Sequence, residues 1–233
     1  MPTKKLIRRR PRPKSSSLVK RVKTLETKQK ADDKSTERKV QFYNSITFLN
    51  NVWSANSDFL IRTQQGIKGQ GSVSAGETRI GDSINLRSCT INFYASMPRN
   101  SDGVVQDPQS STRCRLLLVD NLSGTNNFTI SDILQSPTYY QTSPYKHAVT
   151  RGERYRVLGD YQFNLNATNK ADHVFKFRMK LPKSGRVLHY NGSSDTNPSD
   201  LNVTMLWVAE SISPLSANQP TLQYYVKSSF EDN

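Results

Sequence analysis

The first 23 residues carry the side chains with the clearest chemistry in the sequence. They include ten Lys or Arg and no Asp or Glu, and seven of the ten lie in the run KKLIRRRPRPK at 4–14. Clustered ammonium and guanidinium groups bind phosphate backbones regardless of base sequence. The pattern predicts a nucleic-acid-binding arm with ten candidate phosphate ligands: Lys4, Lys5, Arg8, Arg9, Arg10, Arg12, Lys14, Lys20, Arg21 and Lys23.

Other partners of this basic run fit its composition less well. Binding at a membrane surface normally uses Trp, Phe or a broad Leu face beside the charges, and the run offers only Leu6 and Ile7. No stretch approaches eighteen consecutive apolar residues, and no apolar segment follows the basic start. We therefore expect no membrane partner and no secretion signal. A nuclear import signal is compatible with nucleic-acid binding, because the same run serves both.

The remaining reactive side chains form no catalytic constellation. His147, His173 and His189 lie in different predicted elements and fit no zinc spacing. No GxSxG turn precedes a helix. The glycine-rich segment 64–76 has no helix after it whose N-terminus could hold a phosphate. The sequence therefore predicts a protein that is not an enzyme, with no catalytic residue, metal site or cofactor.

Two smaller groups of residues have simple structural interpretations. Cys89 and Cys114 lie in strand-like runs and fit no metal or redox spacing, so we expect buried, reduced thiols. Four aspartates lie in predicted loops, where Asp is a common turn former. Structural Ca²⁺ at subunit contacts remains an open alternative for them: Asp58, Asp82, Asp195 and Asp200.

Charge divides the chain into a basic segment and a nearly neutral body. Residues 1–39 hold 15 Lys or Arg against 4 Asp or Glu, a net of +11, whereas the rest hold 18 against 15, a net of +3. A block of like charge is typical of a disordered interaction tail. We predict a disordered basic arm over 1–14, a short basic amphipathic helix and linker over 15–39, and a folded domain over 40–233.

The predicted helix lies within SSSLVKRVKTLETKQK. Leu18, Val22 and Leu25 recur at helical spacing, and Ser16 or Ser17 can cap the start. The apolar stripe is narrow, so the helix is marginal alone and needs a partner. That partner could be other copies of the helix, the inner surface of the body or a polyanion. ADDKSTERK, residues 31–39, is interpreted as the linker.

The folded domain has the pattern of an all-β protein. Runs rich in Val, Ile, Phe, Tyr and Thr are separated by Gly, Pro, Asn, Asp and Ser clusters, with no interleaved helices. Long loops over 97–112, 121–152 and 191–202 favour a jelly roll over a tight barrel. The predicted strands are Val40–Leu49, Phe59–Gln64, Ser83–Ser96, Arg113–Asp120, Arg154–Asn166, Val174–Leu181, Val187–Tyr190, Val203–Glu210 and Leu222–Lys227.

Local patterns refine these strands. The alternation changes phase between Leu86 and Cys89, which predicts a β-bulge. The runs LLLV (116–119) and TMLWV (204–208) are apolar on both faces, so both are predicted to be central strands. SDIL (131–134) predicts a helical turn. In VFKFRMKL the basic side chains share one face, which is a solvated face or part of a polyanion-binding surface: Lys176, Arg178 and Lys180.

Several stretches resemble viral coat proteins. GETRIGDSINLRS (76–88) resembles the segment before an early strand in coat proteins of circular single-stranded DNA viruses that encode a replication initiator. RCRLLLVDNLSG (113–124), then SDIL, then RGERYRVLGDYQFNL (151–165) is similar to their paired motif. The VKR helix and LPKSGRVLHYNG (181–192) resemble the satellite tobacco necrosis virus coat protein. The resemblance covers residues 15 to 210.

The resemblance implies a fold and an assembly. The expected fold is one eight-stranded jelly roll of two four-stranded antiparallel sheets. The expected assembly is a T=1 shell of sixty copies that packages a single-stranded genome, with DNA favoured and RNA possible. The implied locations are the virion and the host nucleus. The implied partners are other copies, the viral nucleic acid, a host import receptor and an unknown host receptor.

Two other classes of protein remain alternatives. A cellular nucleic-acid-binding β-domain, of the RNA-chaperone or chromatin type, predicts a basic groove on the body itself. The second is an enzyme or a lectin on a jelly roll with an incidental tail. A lectin would bind sugar through aromatic loops, and one loop cluster could serve this purpose or contact a receptor: Tyr139, Tyr140 and Tyr145.

Overall fold

The chain divides into two units, residues 1–37 and residues 38–233. In the first unit, helix α1 spans Ser17–Ser35. The helix includes residues 31–35, which the sequence analysis assigned to the linker, because Ala31 is a strong helix former and no Gly or Pro interrupts the run. The computed structural model describes residues 17–35, 38–49, 52–55, 60–61, 78–106, 111–122, 129–136, 138–139, 141–146, 155–192, 195, 197–211 and 219–232.

The second unit is built from β-strands. One short helix, α2 (Ile130–Ile133), lies between the fourth and fifth strands and confirms the predicted turn. Within the described ranges, no helix has the length and apolar content to cross a bilayer. The strands are β1 (Lys39–Phe48), β2 (Ser54–Ala55), β3 (Ser83–Ser96), β4 (Ser111–Asn121), β5 (Tyr155–Asn166), β6 (Asp172–Arg178), β7 (Arg186–His189), β8 (Val203–Ser211) and β9 (Thr221–Asp232).

The strands pair in the order of a jelly roll. One sheet has the order β1-β9-β3-β6, with β7 also pairing with β3, and the other has the order β2-β8-β4-β5. With β7 set aside, eight strands remain. Strand β1 lies beside β9, β2 beside β8, β3 beside β6, and β4 beside β5, so strands pair from the two ends of the chain inward. This is a long antiparallel hairpin wrapped on itself. The predicted jelly roll is confirmed, with β7 as an added strand.

Most predicted strands agree with the structure to within a few residues, and three details differ. The two-residue strand β2 was not predicted, because so short a run carries no periodic signal. Within the predicted strand at 59–64, Leu60 and Ile61 are buried but not in a strand, and the other residues lie outside the described part. Strand β9 continues to Asp232 because it pairs with β1 and β3 on its two sides. The predicted bulge is confirmed by a register shift between Leu86 and Ser88.

The two sheets enclose one main core, and α2 covers a second. Phe93 of β3 stacks on Phe175 of β6 with ring centroids 4.7 Å apart, inside the sandwich. On β4, Leu116 and Leu118 face this core, whereas Leu117 and Val119 pack with α2 on the opposite side. The run LLLV is apolar on both faces because each face of β4 is covered.

Both cysteines are free and buried in the main core. Burial raises the pKa of Cys89 and of Cys114 to about 12, because the low-dielectric surroundings disfavour the thiolate. The expectation of buried, reduced thiols is confirmed.

A fully buried arginine joins two loops at one end of the sandwich. The Arg79 guanidinium lies 4.0 Å from the centre of the Tyr190 ring. Its Nη2 donates to the carbonyl oxygens of Gly192 at 2.7 Å and Asp195 at 2.8 Å, and its Nη1 donates to that of Gly81. The segment that precedes β3 is thereby fixed to the segment that follows β7. Two of the stretches that resemble coat proteins, RIGD and YNG, thus contact each other.

Replacing Arg79 with Met should destabilise the domain strongly. The change keeps the length of the side chain but removes three hydrogen bonds from the fully buried guanidinium to loop carbonyls, so we expect the free energy of unfolding to fall by about 3 kcal/mol. Denaturation in urea measures it. Arg99, which is partly exposed and pairs with Asp172 at 2.7 Å, is the matched control, and its change to Met should cost less than about 1 kcal/mol. Equal losses at both positions would contradict the role assigned to Arg79.

Candidate nucleic-acid interface

Three of the ten predicted phosphate ligands lie in the described part of the chain. Lys20, Arg21 and Lys23 are exposed on α1. Their exposure leaves the charged groups accessible to a polyanion. The other seven lie outside the described residues, and their role stays a prediction: Lys4, Lys5, Arg8, Arg9, Arg10, Arg12 and Lys14.

Helix α1 gathers its cations on one side. At about 100° per residue, Lys20, Arg21 and Lys23 fall within an arc of about 160°. The hydroxyl groups of Thr24 and Thr27 lie in the same arc, and each donates to a helix carbonyl four residues earlier, at 2.8 Å and 2.7 Å. The threonines are thus satisfied within the helix, and the ammonium and guanidinium groups are the side chains on this face that remain to bind an anion.

The opposite side of α1 exposes three aliphatic side chains, with Glu26 among them. Val19 and Val22 are each 47% exposed, and Leu25 is 64% exposed. Leu25 and Val22 belong to the stripe predicted from sequence, whereas Leu18, its third member, has a side chain outside the described part. A helix with one basic and one uncovered apolar face is suited to bind phosphates on one side and a second apolar surface on the other.

In the folded domain, carboxylates of the same chain neutralise much of the positive charge. Arg115 is buried and binds both carboxylate oxygens of Asp160, at 3.1 Å and 2.7 Å. Such pairing makes these cations poor ligands for an external phosphate. Three further close pairs of this kind are Lys39–Asp232, Arg87–Glu231 and Arg99–Asp172.

One cavity in the folded domain is lined by cations without carboxylates among the described residues. It has a volume of about 470 Å³ and contains Leu158, Phe177 and Met179 among its apolar lining residues. No carboxylate belongs to the lining in the described residues. A cavity with this lining has the chemistry of an anion site. Four cationic side chains line it: Arg156, Arg178, Lys180 and Arg186.

A single buried carboxylate, that of Asp120, pairs with two of these cations. Asp120 is fully buried at the end of β4, where its Oδ2 accepts from Arg156 at 2.8 Å and lies 3.9 Å from Arg186. Its Oδ1 accepts from the backbone N–H of Asn202 at 3.2 Å. The sequence analysis included Arg178 and Lys180 but missed Arg156 and Arg186. Arg156 and Arg186 come close together only when the two sheets pack, so no spacing in the sequence indicates their proximity.

Several of the other candidate groups have partners within the chain, and Asp58 and His147 lie outside the described residues. The His189 ring lies 3.0 Å from Asp200, and Asp82 lies 3.8 Å from Arg79. The hydroxyl of Tyr145 donates to Asp160 at 2.7 Å. Burial, together with this hydrogen bond, raises the pKa of Tyr145 to about 12. Tyr139 is exposed, and Tyr140 lies outside the described residues. Across the described ranges, no three His, Cys, Asp or Glu side chains gather as metal ligands.

The basic face of α1 gives a quantitative expectation. Changing Lys20 and Lys23 to Gln in the full-length chain should weaken binding to single-stranded DNA and lower the slope of log K against log salt by about 1.4, because each lost phosphate contact removes about 0.7. Fluorescence anisotropy over a salt series measures the slope. Lys170 and Lys183, which are exposed on the folded domain, provide a control with the same loss of charge. The same decrease in slope in both variants would refute a specific role for α1.

Comparison with known proteins gives similarity in structure only. The chain matches no protein-family model and no curated protein sequence. A structure of Desmodium yellow mottle tymovirus is 10% identical, with 84% of this chain and 88% of that chain covered and a TM-score of 0.40. A structure of turnip yellow mosaic virus is 11% identical, with 85% of this chain and 95% of that chain covered and a TM-score of 0.38.

A third similar structure, of mud crab tombus-like virus, is 10% identical, with 83% of this chain and 81% of that chain covered and a TM-score of 0.33. At these identities and TM-scores the similarity carries no conclusion about what this chain does. The assignment of a jelly roll rests on the strand order and pairing of the chain itself.

Proposed function

We propose that the chain is the coat protein of a small icosahedral virus, whose jelly roll assembles into a shell and whose basic N-terminal segment binds the genome. The observation that carries the proposal is the combination of a jelly-roll strand order with a separate, strongly basic segment. The role is structural and needs no catalytic group. The resemblance of the segments at 76–88 and 113–165 to coat proteins of circular single-stranded DNA viruses supports the same function.

The division of charge suits this function. The body carries a net charge of only +3 over residues 40–233 and pairs many of its arginines internally. Copies of a nearly neutral body can pack together without strong repulsion. The first 39 residues carry a net charge of +11 and keep most of it for a polyanion, with Lys39 at the start of β1 paired instead with Asp232. Counterion release then drives binding to a phosphate backbone of any sequence.

The proposed assembly is a T=1 shell of sixty copies around a single-stranded genome. Sixty basic segments would bring roughly 660 positive charges inside, which suits a genome on the order of a thousand nucleotides. DNA is favoured over RNA because of the RIGDSI segment, and RNA remains the alternative genome. The shell is the virion, and the run KKLIRRRPRPK would also direct the protein to the host nucleus through an import receptor. The host receptor is unspecified.

A cellular nucleic-acid-binding β-domain is the second candidate, and one observation favours it. The cavity lined by Arg156, Arg178, Lys180 and Arg186 places a cationic site on the body itself. A cellular binding protein would use such a site without forming shells. The two candidates therefore differ in their assembly state and in their dependence on the basic segment.

The purified full-length chain should form particles of about 20 nm that contain nucleic acid. Negative-stain microscopy and the ratio of absorbance at 260 and 280 nm measure both properties. Deleting residues 1–23 should leave the domain folded but abolish packaging, because ten cations are removed. A monomer free of nucleic acid at physiological salt would overturn the coat-protein proposal. Undiminished nucleic-acid binding by the deletion variant, without particles, would favour the cellular candidate.

The apolar stripe of α1 should contribute to assembly by clustering copies of the helix at a three-fold axis. Changing Leu18 and Val22 together to Asp should reduce the yield of filled particles, because charged side chains cannot pack in such a cluster. Yield is measured by sedimentation with the absorbance ratio. Changing Thr24 and Thr27 to Asp introduces the same charge on the basic face and controls for weaker genome binding. Normal assembly and packaging by the Leu18/Val22 variant would refute the clustering.

A further inference from the structure

The sheet with the order β1-β9-β3-β6 exposes a regular array of side chains on its outer face. The strand registers align four residues from each strand in four rows, and we call these sixteen residues the outer grid. The rows are Phe42–Lys227–Thr90–Arg178, Asn44–Tyr225–Asn92–Lys176, Ile46–Gln223–Tyr94–Val174 and Phe48–Thr221–Ser96–Asp172.

The middle of the outer grid combines rings and aliphatic side chains with amides. Residues of its two middle rows line a groove of about 530 Å³. Tyr225 is 41% exposed in this groove, and its ring lies 5.5 Å from that of Phe42. Three side-chain amides of these rows are exposed and line the groove, where they can bind polar groups of a ligand: Asn44, Asn92 and Gln223.

One end of the outer grid is cationic. Lys176, Arg178 and Lys227 lie in its first two rows, and Lys227 is 5.7 Å from the Phe42 ring. Arg178 also lines the four-cation cavity, so the cationic end continues into that cavity. A polyanion at this end would therefore meet several positive groups in succession.

The outer grid has a single carboxylate, at its far end. Asp172 lies in the fourth row and binds Arg99 at 2.7 Å and the hydroxyl of Tyr94 at 3.1 Å. Its charge is thus largely neutralised by groups of the same chain. The field over the grid is positive, which fits an anionic ligand.

We infer that the outer grid binds single-stranded nucleic acid, with a base stacked on Tyr225 and phosphates at Lys176, Arg178 and Lys227. An exposed antiparallel sheet with aromatic side chains is a known geometry for stacking unpaired bases. Amides hydrogen-bond to base edges, and cations hold the backbone. The inference deepens the proposed function, on which it rests, by giving the packaged strand a binding face on the sandwich.

A second copy of the chain is a less suitable occupant of this face. Two outer grids packed face to face would bring six cations together without a counter-charge. Packing against another surface of the domain would require free carboxylates, and several described carboxylates are already paired within the chain. A protein surface would also bury the amides, at a cost unless each found a partner. A strand of nucleic acid supplies both the charge and the hydrogen-bonding groups.

The contribution of bases can be separated from that of phosphates. Binding of the full-length chain is measured by anisotropy with labelled oligo(dT) of about 20 nucleotides and with an abasic strand of the same length and charge, in about 0.5 M salt to weaken the arm. We expect oligo(dT) to bind about tenfold more tightly, the size of one stacking contact. Tyr225→Ala should remove this preference, and Tyr225→Phe should retain it.

Two further measurements complete the test. Tyr139→Ala changes another exposed tyrosine and should leave the preference unchanged. Ultraviolet cross-linking of the unmodified protein to oligo(dT), followed by mass spectrometry, should place cross-links at Tyr225 or Tyr94 and requires no variant. Equal binding of both strands by the unmodified chain, a full preference in Tyr225→Ala, or cross-links confined to other segments would overturn the inference.

These outcomes are distinguishable from failure of the proposed function. If the full-length chain forms no particles containing nucleic acid, the coat-protein proposal fails whichever strand binds better. If particles form and package normally but the base preference is absent, only the present inference fails. If Tyr225→Ala prevents assembly while the base preference persists, the outer grid is a contact between copies and the inference is overturned.

Discussion

The cost of removing charge from water determines how this chain is divided. A segment with a net charge of +11 in 39 residues cannot be packed into an apolar sandwich, because buried charges require partners. The folded domain follows the same constraint in a different way, by pairing its inward-facing arginines with carboxylates or carbonyls. The N-terminal sixth of the chain thus keeps most of its charge for an external ligand, and the folded domain neutralises much of its own charge and packs.

The paired charges hold together segments that are distant in sequence. Arg79 bonds to carbonyls in the loop after β7, and Arg115 of β4 binds Asp160 of β5. Asp120 supports Arg156 and Arg186 beside an otherwise cationic cavity. These interactions fix loops and strand ends around the apolar core. Among the described residues, cations outnumber carboxylates at that cavity and at the cationic end of the outer grid, and there the domain itself offers clustered positive charge.

Much of the fold follows from local patterns in the sequence. Runs rich in β-branched and aromatic residues between clusters of turn residues identified eight of the nine strands, and the change of phase near Cys89 indicated the bulge. The doubly apolar run at 116–119 indicated a strand covered on both sides. Strand β2 escaped prediction because two residues show no alternation. The cavity cations escaped it because Arg156 and Arg186 meet only through the closure of the sandwich, which no short-range spacing encodes.

The basic segment and the outer grid differ in the physical basis of their binding. Ionic contacts to phosphates weaken steeply with salt and tolerate any sequence and any position along the strand. Stacking on an exposed ring depends on the base and is screened little by salt. Because Tyr225 and Tyr94 lie on paired strands of a rigid sheet, a base held there has a fixed position relative to the domain. The basic segment can then neutralise the phosphate charge along the strand, and the sheet can fix the position of individual bases relative to the domain. Ionic contacts alone would not fix that position.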